Sequence, residues 1–289
     1  MKTLFFIFPL ITAFLLTFNK PVTDKKQEIT VCHGALQEFG NMAIDPSYVA
    51  LHGNQPGIHF ISNAGGKMIS YKTPDGKTAT AFEIKAKKKS NKWLFVYQEW
   101  WGLNDQIKQE AEKYYQALNG EVNVLAPDMY DGKVTSKPEE AGQFMQAATK
   151  SPERLQAIIK GAIGYAGTKA KFASVGWCFG GSLSLSSAMA EGTQAAGCVM
   201  FYGFPEKDVE KLKTLKCDVL GLFGSKDGYI NVPVVEEFQK NMETAGKKIE
   251  VKIYDAGHGF CNPSNPSYNK DATDDAFAKA TTYLKDKLK

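Results

Sequence analysis

Gly176-Trp177-Cys178-Phe179-Gly180-Gly181 joins an apolar, strand-like run at 172–176 to a helix-like run at 181–190, and the fold follows from how that junction is read. Three glycines around one cysteine describe a turn too tight for side chains at those positions. Such a turn lifts Cys178 above the end of a sheet and sets it at a helix N-terminus, where a thiolate is favoured. With five cysteines and 26 glycines in 289 residues, Gly-x-Cys-x-Gly is expected by chance roughly 0.04 times. A structural cysteine buried at a close helix–strand contact would satisfy the same six residues, so the partners decide.

Outward from the junction, apolar runs alternate with amphipathic ones. The pattern predicts strands at 93–97, 122–125, 172–176, 196–202, 219–223 and 249–254. Helices are expected at 105–118, 138–150, 152–165, 181–190, 272–288 and after Pro233. Ahead of them, 68–73 and 79–85 read as a hairpin, since Pro74 presets the turn and Gly76 permits positive φ. This alternation implies one α/β domain over 66–289, a doubly wound, mostly parallel sheet with helices on both faces. Residues 23–65 form an N-terminal extension with one expected helix over 36–52.

A thiol nucleophile needs a general base, and the base needs an orienting acid. His258 is the one histidine within 66–289 and follows the last predicted strand. Asp227, in Phe223-Gly224-Ser225-Lys226-Asp227-Gly228, follows the strand before it. Taken singly each is an ordinary loop residue. Together with Cys178 they stand in the chain order nucleophile, acid, base.

With these residues the chain resembles the dienelactone hydrolase family, of α/β-hydrolase fold, over about 66–289. The resemblance rests on the Cys178 elbow, on Asp227, on Ala256-Gly257-His258 and on Gln98-Glu99-x-x-Gly102-Leu103-Asn104. It implies hydrolysis of a small ester or lactone through a Cys178-His258-Asp227 triad and an acyl-enzyme, with Glu99 holding and helping to ionise the thiol. The oxyanion hole would be the backbone N–H groups of Trp100 and Phe179, and Trp101 and Phe201 would wall the pocket. Founding members clamp a substrate carboxylate with arginines, one of them shortly after the catalytic histidine, where this chain has Cys261 and Asn262. The chain's one arginine, Arg154, lies elsewhere, so a neutral ester or lactone, or one read by lysine, fits better than dienelactone.

Composition narrows the partners. A net charge of +4, with 35 basic and 31 acidic residues scattered along the chain, lacks the dense basic stripe that binds nucleic acid. Lys2 followed by the apolar run 4–18 reads as a signal peptide or N-terminal anchor over 1–22, which places the protein in the periplasm or outside the cell. Membrane attachment, if any, would run through that segment. In such a compartment, pairing Cys198 with Cys217 and Cys32 with Cys261 would leave Cys178 free. His33, His52 and His59 beside Cys32 fit no metal-ligand spacing, and neither a metal nor another cofactor is called for. The competing class is a non-catalytic binding protein on the same scaffold, with the extension as its contact surface.

Overall fold

The computed structural model describes Met1 and residues 33–289. The expected signal or anchor and Cys32 lie outside the described residues. Eight strands form one sheet: β1 (Lys67–Lys72), β2 (Thr78–Ile84), β3 (Lys92–Tyr97), β4 (Asn123–Pro127), β5 (Lys171–Trp177), β6 (Ala195–Phe201), β7 (Asp218–Gly224) and β8 (Ile249–Tyr254). Their spatial order is β1-β2-β4-β3-β5-β6-β7-β8. The β1–β2 hairpin and the β2–β4 pair are antiparallel, and every later pair is parallel. The hairpin closes as expected, with Gly76 at φ 80°.

Burial follows position in the sheet. The central parallel strands are covered on both faces, so β5 is buried from Phe172 to Trp177, and the one polar side chain of that stretch, Ser174, donates to the Ser184 carbonyl at 3.0 Å. Edge strand β8 alternates, with Glu250 and Lys252 exposed, and these charges discourage pairing with another sheet.

The helices are α3 (Asp105–Ala117), α4 (Pro138–Thr149), α5 (Pro152–Ala166), α6 (Phe179–Glu191), α8 (Val232–Thr244) and α9 (Lys270–Lys287), with a single turn α7 (Val209–Leu212) that periodicity did not mark. α5 and α6 pack on each other and on the sheet, while α3 and α9 meet through the Tyr114 and Phe277 rings. Start signals explain the boundaries: Asn104 and Asn231 accept from Ile107 and Val234 N–H as N-caps, and α4 and α5 open on proline. Among the described residues no helix is long and apolar enough to cross a membrane.

The extension departs from expectation. The single helix over 36–52 is two, α1 (His33–Met42) and α2 (Pro46–Ala50). Pro46 lacks the N–H that a continuous helix needs and keeps Asp45 out of helical geometry, and Asp45 then caps α2 by accepting from Ser47 N–H at 2.8 Å. α1 is not a surface appendage: Leu36, Phe39 and Met42, with Ala43 just past its end, are buried in the same apolar core as the sheet. The Phe39 ring stands edge-on to Phe179 and Phe204, with centroids 5.7 and 5.1 Å away.

Candidate active site

The strand-to-helix junction is as tight as its glycines suggested. Cys178 has φ 54° and ψ −120°, a region that costs a side-chain-bearing residue about 1–3 kcal/mol and persists where the surroundings over-determine it. Its N–H is held by the Phe201 carbonyl at 3.0 Å. A Cβ at Gly176 would strike the Gly180 carbonyl, and one at Gly180 would strike the carbonyls of Tyr97 and Gln98. The close approach of α6 to β3 therefore requires glycine and fixes where the thiol projects.

Loops after β8 and β7 bring His258 and Asp227 to it. His258 Nε2 lies 3.2 Å from Cys178 Sγ, and His258 Nδ1 lies 2.7 Å from Asp227 Oδ2. The second Asp227 oxygen accepts from the backbone N–H groups of Tyr229 and Ile230, each at 2.9 Å. Burial pushes the Asp227 carboxyl up, but the His258 charge and the hydrogen bonds of His258, Ile230 and Tyr229 outweigh it and hold the group below its ordinary value. Asp227 is thus an acceptor, so His258 Nδ1 carries a proton and donates to it. Burial works against a charged His258, yet Asp227 and Cys178 overcome it and raise the imidazole well above its ordinary value.

Glu99 is 7 % exposed and belongs to the same cluster. Its oxygens accept from Asn262 Nδ2 at 2.6 Å and from the Tyr202 hydroxyl at 3.3 Å, whereas Sγ is met by His258 and Tyr48. Burial holds its carboxyl above the ordinary range, and the Asn262, His258 and Tyr202 contacts offset only part of that. Trp100 follows β3 and Phe179 opens α6, both buried. Phe201 stacks on Trp177 at 5.3 Å, and both wall a narrow cavity that also touches Glu99, Tyr202 and Asn262. Trp101 lies instead against Trp100 and His52, with centroids 4.9 and 6.1 Å away. Arg154 is remote from these groups: its guanidinium bonds Asp131 and Asp75 at 3.0 Å and the Thr78 carbonyl at 3.0 Å.

Two site residues escaped the sequence reading, and both come from the extension. The Tyr48 hydroxyl lies 3.3 Å from Cys178 Sγ and 3.5 Å from His258 Nε2. His52 Nδ1 lies 2.9 Å from the Tyr48 carbonyl, and its ring packs on Trp100 at 4.5 Å. Burial lowers the His52 imidazole to about 4, so it is neutral at neutral pH and Nδ1–H donates to that carbonyl. One signal could have pointed here, the concentration of three of the four histidines in a short segment.

The expected Cys198–Cys217 bridge is absent, and both residues are thiols. Cys198 is buried with Sγ 3.4 Å from Ser184 Oγ on α6, and burial pushes its thiol up to about 12. Cys261 is also a thiol, and its expected partner Cys32 lies outside the described residues. Among the described residues no group of three or more His, Cys, Asp or Glu could hold a metal ion.

A family model described as "Dienelactone hydrolase family" matches residues 80–288. The protein usf of Aquifex pyrophilus is 28% identical over 207 residues, which cover 68% of this chain and 88% of that one. Carboxymethylenebutenolidase of Pseudomonas sp. (strain P51) is 33% identical over 114 residues, 39% of this chain and 47% of that one. Among solved structures, a dienelactone hydrolase-like promiscuous phosphotriesterase from metagenomic libraries superposes with a TM-score of 0.67 at 18% identity. That match covers 78% of this chain and 99% of the other, and at this identity it is a likeness of fold.

Proposed function

From the chain's membership of the dienelactone hydrolase family, which makes it a hydrolase, we propose that it cleaves a small carboxylic ester or lactone through a Cys178-His258-Asp227 triad with an acyl-enzyme intermediate. The carrying observation is the relay itself, 3.2 Å from Sγ to Nε2 and 2.7 Å from Nδ1 to a carboxylate. Sulfur, as thiolate, attacks the substrate carbonyl, and the C–S bond forms as the C–O bond breaks. The proton on His258 Nε2 goes to the departing alkoxide. A water then gives its proton back to Nε2 as its oxygen attacks the thioester carbon, and the thiolate leaves. Asp227 keeps the imidazole oriented and stabilises its charge throughout.

The N–H of Phe179 supports the oxyanion assignment, because the first residues of a helix have no intrahelical acceptor for their N–H groups. The Trp100 N–H, just past β3, would complete the pair. Glu99, a buried carboxylate bound to two neutral donors, is suited to move toward the thiol when substrate displaces it.

Substrate class follows from the cations near the site. Asn262, in the segment where the founding members carry an arginine, bonds Glu99 as a neutral amide, and Arg154 is committed to Asp75 and Asp131. Without a guanidinium clamp the site suits an uncharged ester or lactone rather than one with a free carboxylate. The apolar run 4–18 behind Lys2 supports export from the cytoplasm. The testing experiment is a panel of activated esters and lactones, with and without a free carboxylate, assayed on wild type and Cys178→Ala. Turnover should vanish in the variant while the circular-dichroism spectrum and melting temperature stay put. Persistent turnover would reject the mechanism.

A further inference from the structure

We propose that Tyr48, from the extension, is a further catalytic residue: a hydrogen-bond donor to the Cys178 thiolate, held permanently at the reacting sulfur. This rests on the reading of Cys178 as nucleophile. It concerns a residue outside the stretch matched by the family model.

The geometry is a near-equilateral triangle. Tyr48 Oη to Sγ is 3.3 Å, Oη to His258 Nε2 is 3.5 Å, and Nε2 to Sγ is 3.2 Å. Polar atoms at these separations share protons by charge state. Burial first, then Cys178, holds the Tyr48 phenol well above its ordinary value, so it keeps its proton at any working pH and acts as donor. With Nε2 protonated, the two donors Nε2–H and Oη–H face one sulfur, the acceptor their geometry calls for.

The phenol is held on every side. The Tyr48 ring is fully buried, edge-on to Trp100 at 5.0 Å and to Tyr229 at 5.2 Å. Asp45, the cap of its helix, accepts from the Tyr229 hydroxyl at 3.2 Å, and Tyr229 N–H in turn binds Asp227. Together with α1 buried in the core, these ties make Tyr48 part of the built site rather than a strap lying over it. Helix α2 and the triad acid thus share one residue, Tyr229, as a brace.

The phenol acts at both ends of the cycle without losing its proton. As the thiolate attacks, its charge passes to the carbonyl oxygen and then to the alkoxide that takes the Nε2 proton. As the acyl-enzyme breaks, the C–S bond electrons return to sulfur, and Oη–H stabilises the charge that reappears there. Acylation starts from a better-populated thiolate, and deacylation gains a better leaving group.

The test is Tyr48→Phe in the full-length protein, which removes one oxygen and leaves the packed ring. Iodoacetamide alkylation of Cys178, mapped by mass spectrometry, is followed against pH, and steady-state hydrolysis of an activated neutral ester is measured alongside. His258, Asp227, Glu99, Tyr130 and Tyr202, the other titratable groups around Sγ, are unchanged, so a shift reports on Tyr48. The alkylation midpoint should rise by about one pH unit and kcat should fall about tenfold or more, with KM changing far less. In a second variant, 3-fluorotyrosine at position 48 supplies a stronger donor of nearly the same shape and should move the midpoint down. Unmoved midpoints in both proteins, or faster turnover in Tyr48→Phe, overturn the proposal. The alkylation profile needs no substrate, so it judges Tyr48 even if the Cys178→Ala assay goes against the hydrolase mechanism.

Discussion

Asn262 donates to Glu99 across 2.6 Å, so a buried carboxylate at the candidate site is paired with a neutral amide. In the founding members that the chain resembles, the segment after the catalytic histidine carries an arginine. An amide leaves the carboxylate's charge uncompensated, and burial then holds Glu99 above its ordinary value. It also leaves nothing there to bind an anionic substrate group. Asn262→Arg should therefore raise kcat/KM for a carboxylate-bearing ester over its neutral analogue by about tenfold, the worth of one charge-assisted hydrogen bond. Paired kinetics on the two esters measure that ratio, and an unchanged ratio counts against Asn262 as a specificity determinant.

Asp227 sets the pH behaviour of the relay. It raises the His258 imidazole well above the ordinary value, so in the proposed mechanism the proton for a leaving alkoxide would persist to higher pH. Asp227→Asn removes that charge: the alkaline limb of kcat/KM should move toward acid, and kcat should drop by about 10²- to 10⁴-fold. Stability follows with definite signs. The raised His258 contributes fully below about pH 6.5 and loses its contribution as pH rises through the folded value. The lowered Asp227 contributes above about pH 3.9 and loses its contribution as pH falls through the folded value. Urea midpoints of wild type and Asp227→Asn should therefore differ most between about pH 3.9 and pH 6.5, the gap closing as pH falls through the folded Asp227 value and narrowing as pH rises through the folded His258 value.

What the sequence showed plainly was whatever is encoded locally. Buried parallel strands must be apolar on both faces, so Trp93 to Tyr97 and Phe172 to Trp177 announce themselves. The elbow needs glycine at particular offsets, and loops after strands carry His258 and Asp227 in order. Tyr48 and His52 lack any such mark. Tyr48 meets Cys178 across 130 positions and His258 across 210, and it is placed there by tertiary packing, of α1 against Phe179 and Phe204 and of its own ring against Trp100 and Tyr229. The break at Asp45-Pro46 was locally encoded, and reading through it cost the helix boundary that aims Tyr48.

The single arginine is committed to structure. Arg154 joins the β1–β2 turn at Asp75 to the loop after β4 at Asp131, with bonds to Thr73 Oγ1 and the Thr78 carbonyl at 3.0 Å. Arg154→Gln should leave kcat/KM within twofold for both neutral and carboxylate-bearing esters while lowering the melting temperature. A selective loss on the anionic ester would instead make Arg154 a substrate clamp, and paired kinetics with a thermal melt separate the two.

Whether the extension tunes the active site can be tested at Phe39, which touches it only through the Phe179 ring. Its ring is fully buried between Phe179, the residue after Cys178, and Phe204. Truncation to alanine leaves a cavity that two aromatic edges cannot close, so Phe39→Ala should cost about 3–5 kcal/mol in urea denaturation. Ile44, on the connection to α2 and 60 % exposed, is the control: Ile44→Ala should stay within about 0.5 kcal/mol. Phe39 also sets the distance between α1 and α6, and the chain from α1 leads directly into the helix that holds Tyr48. A shift of α1 should therefore reach the sulfur, and under conditions where Phe39→Ala remains folded its kcat should fall severalfold with the Cys178 alkylation midpoint rising. Stability lost with kcat and midpoint unchanged would show that the extension supports the fold without tuning the thiol.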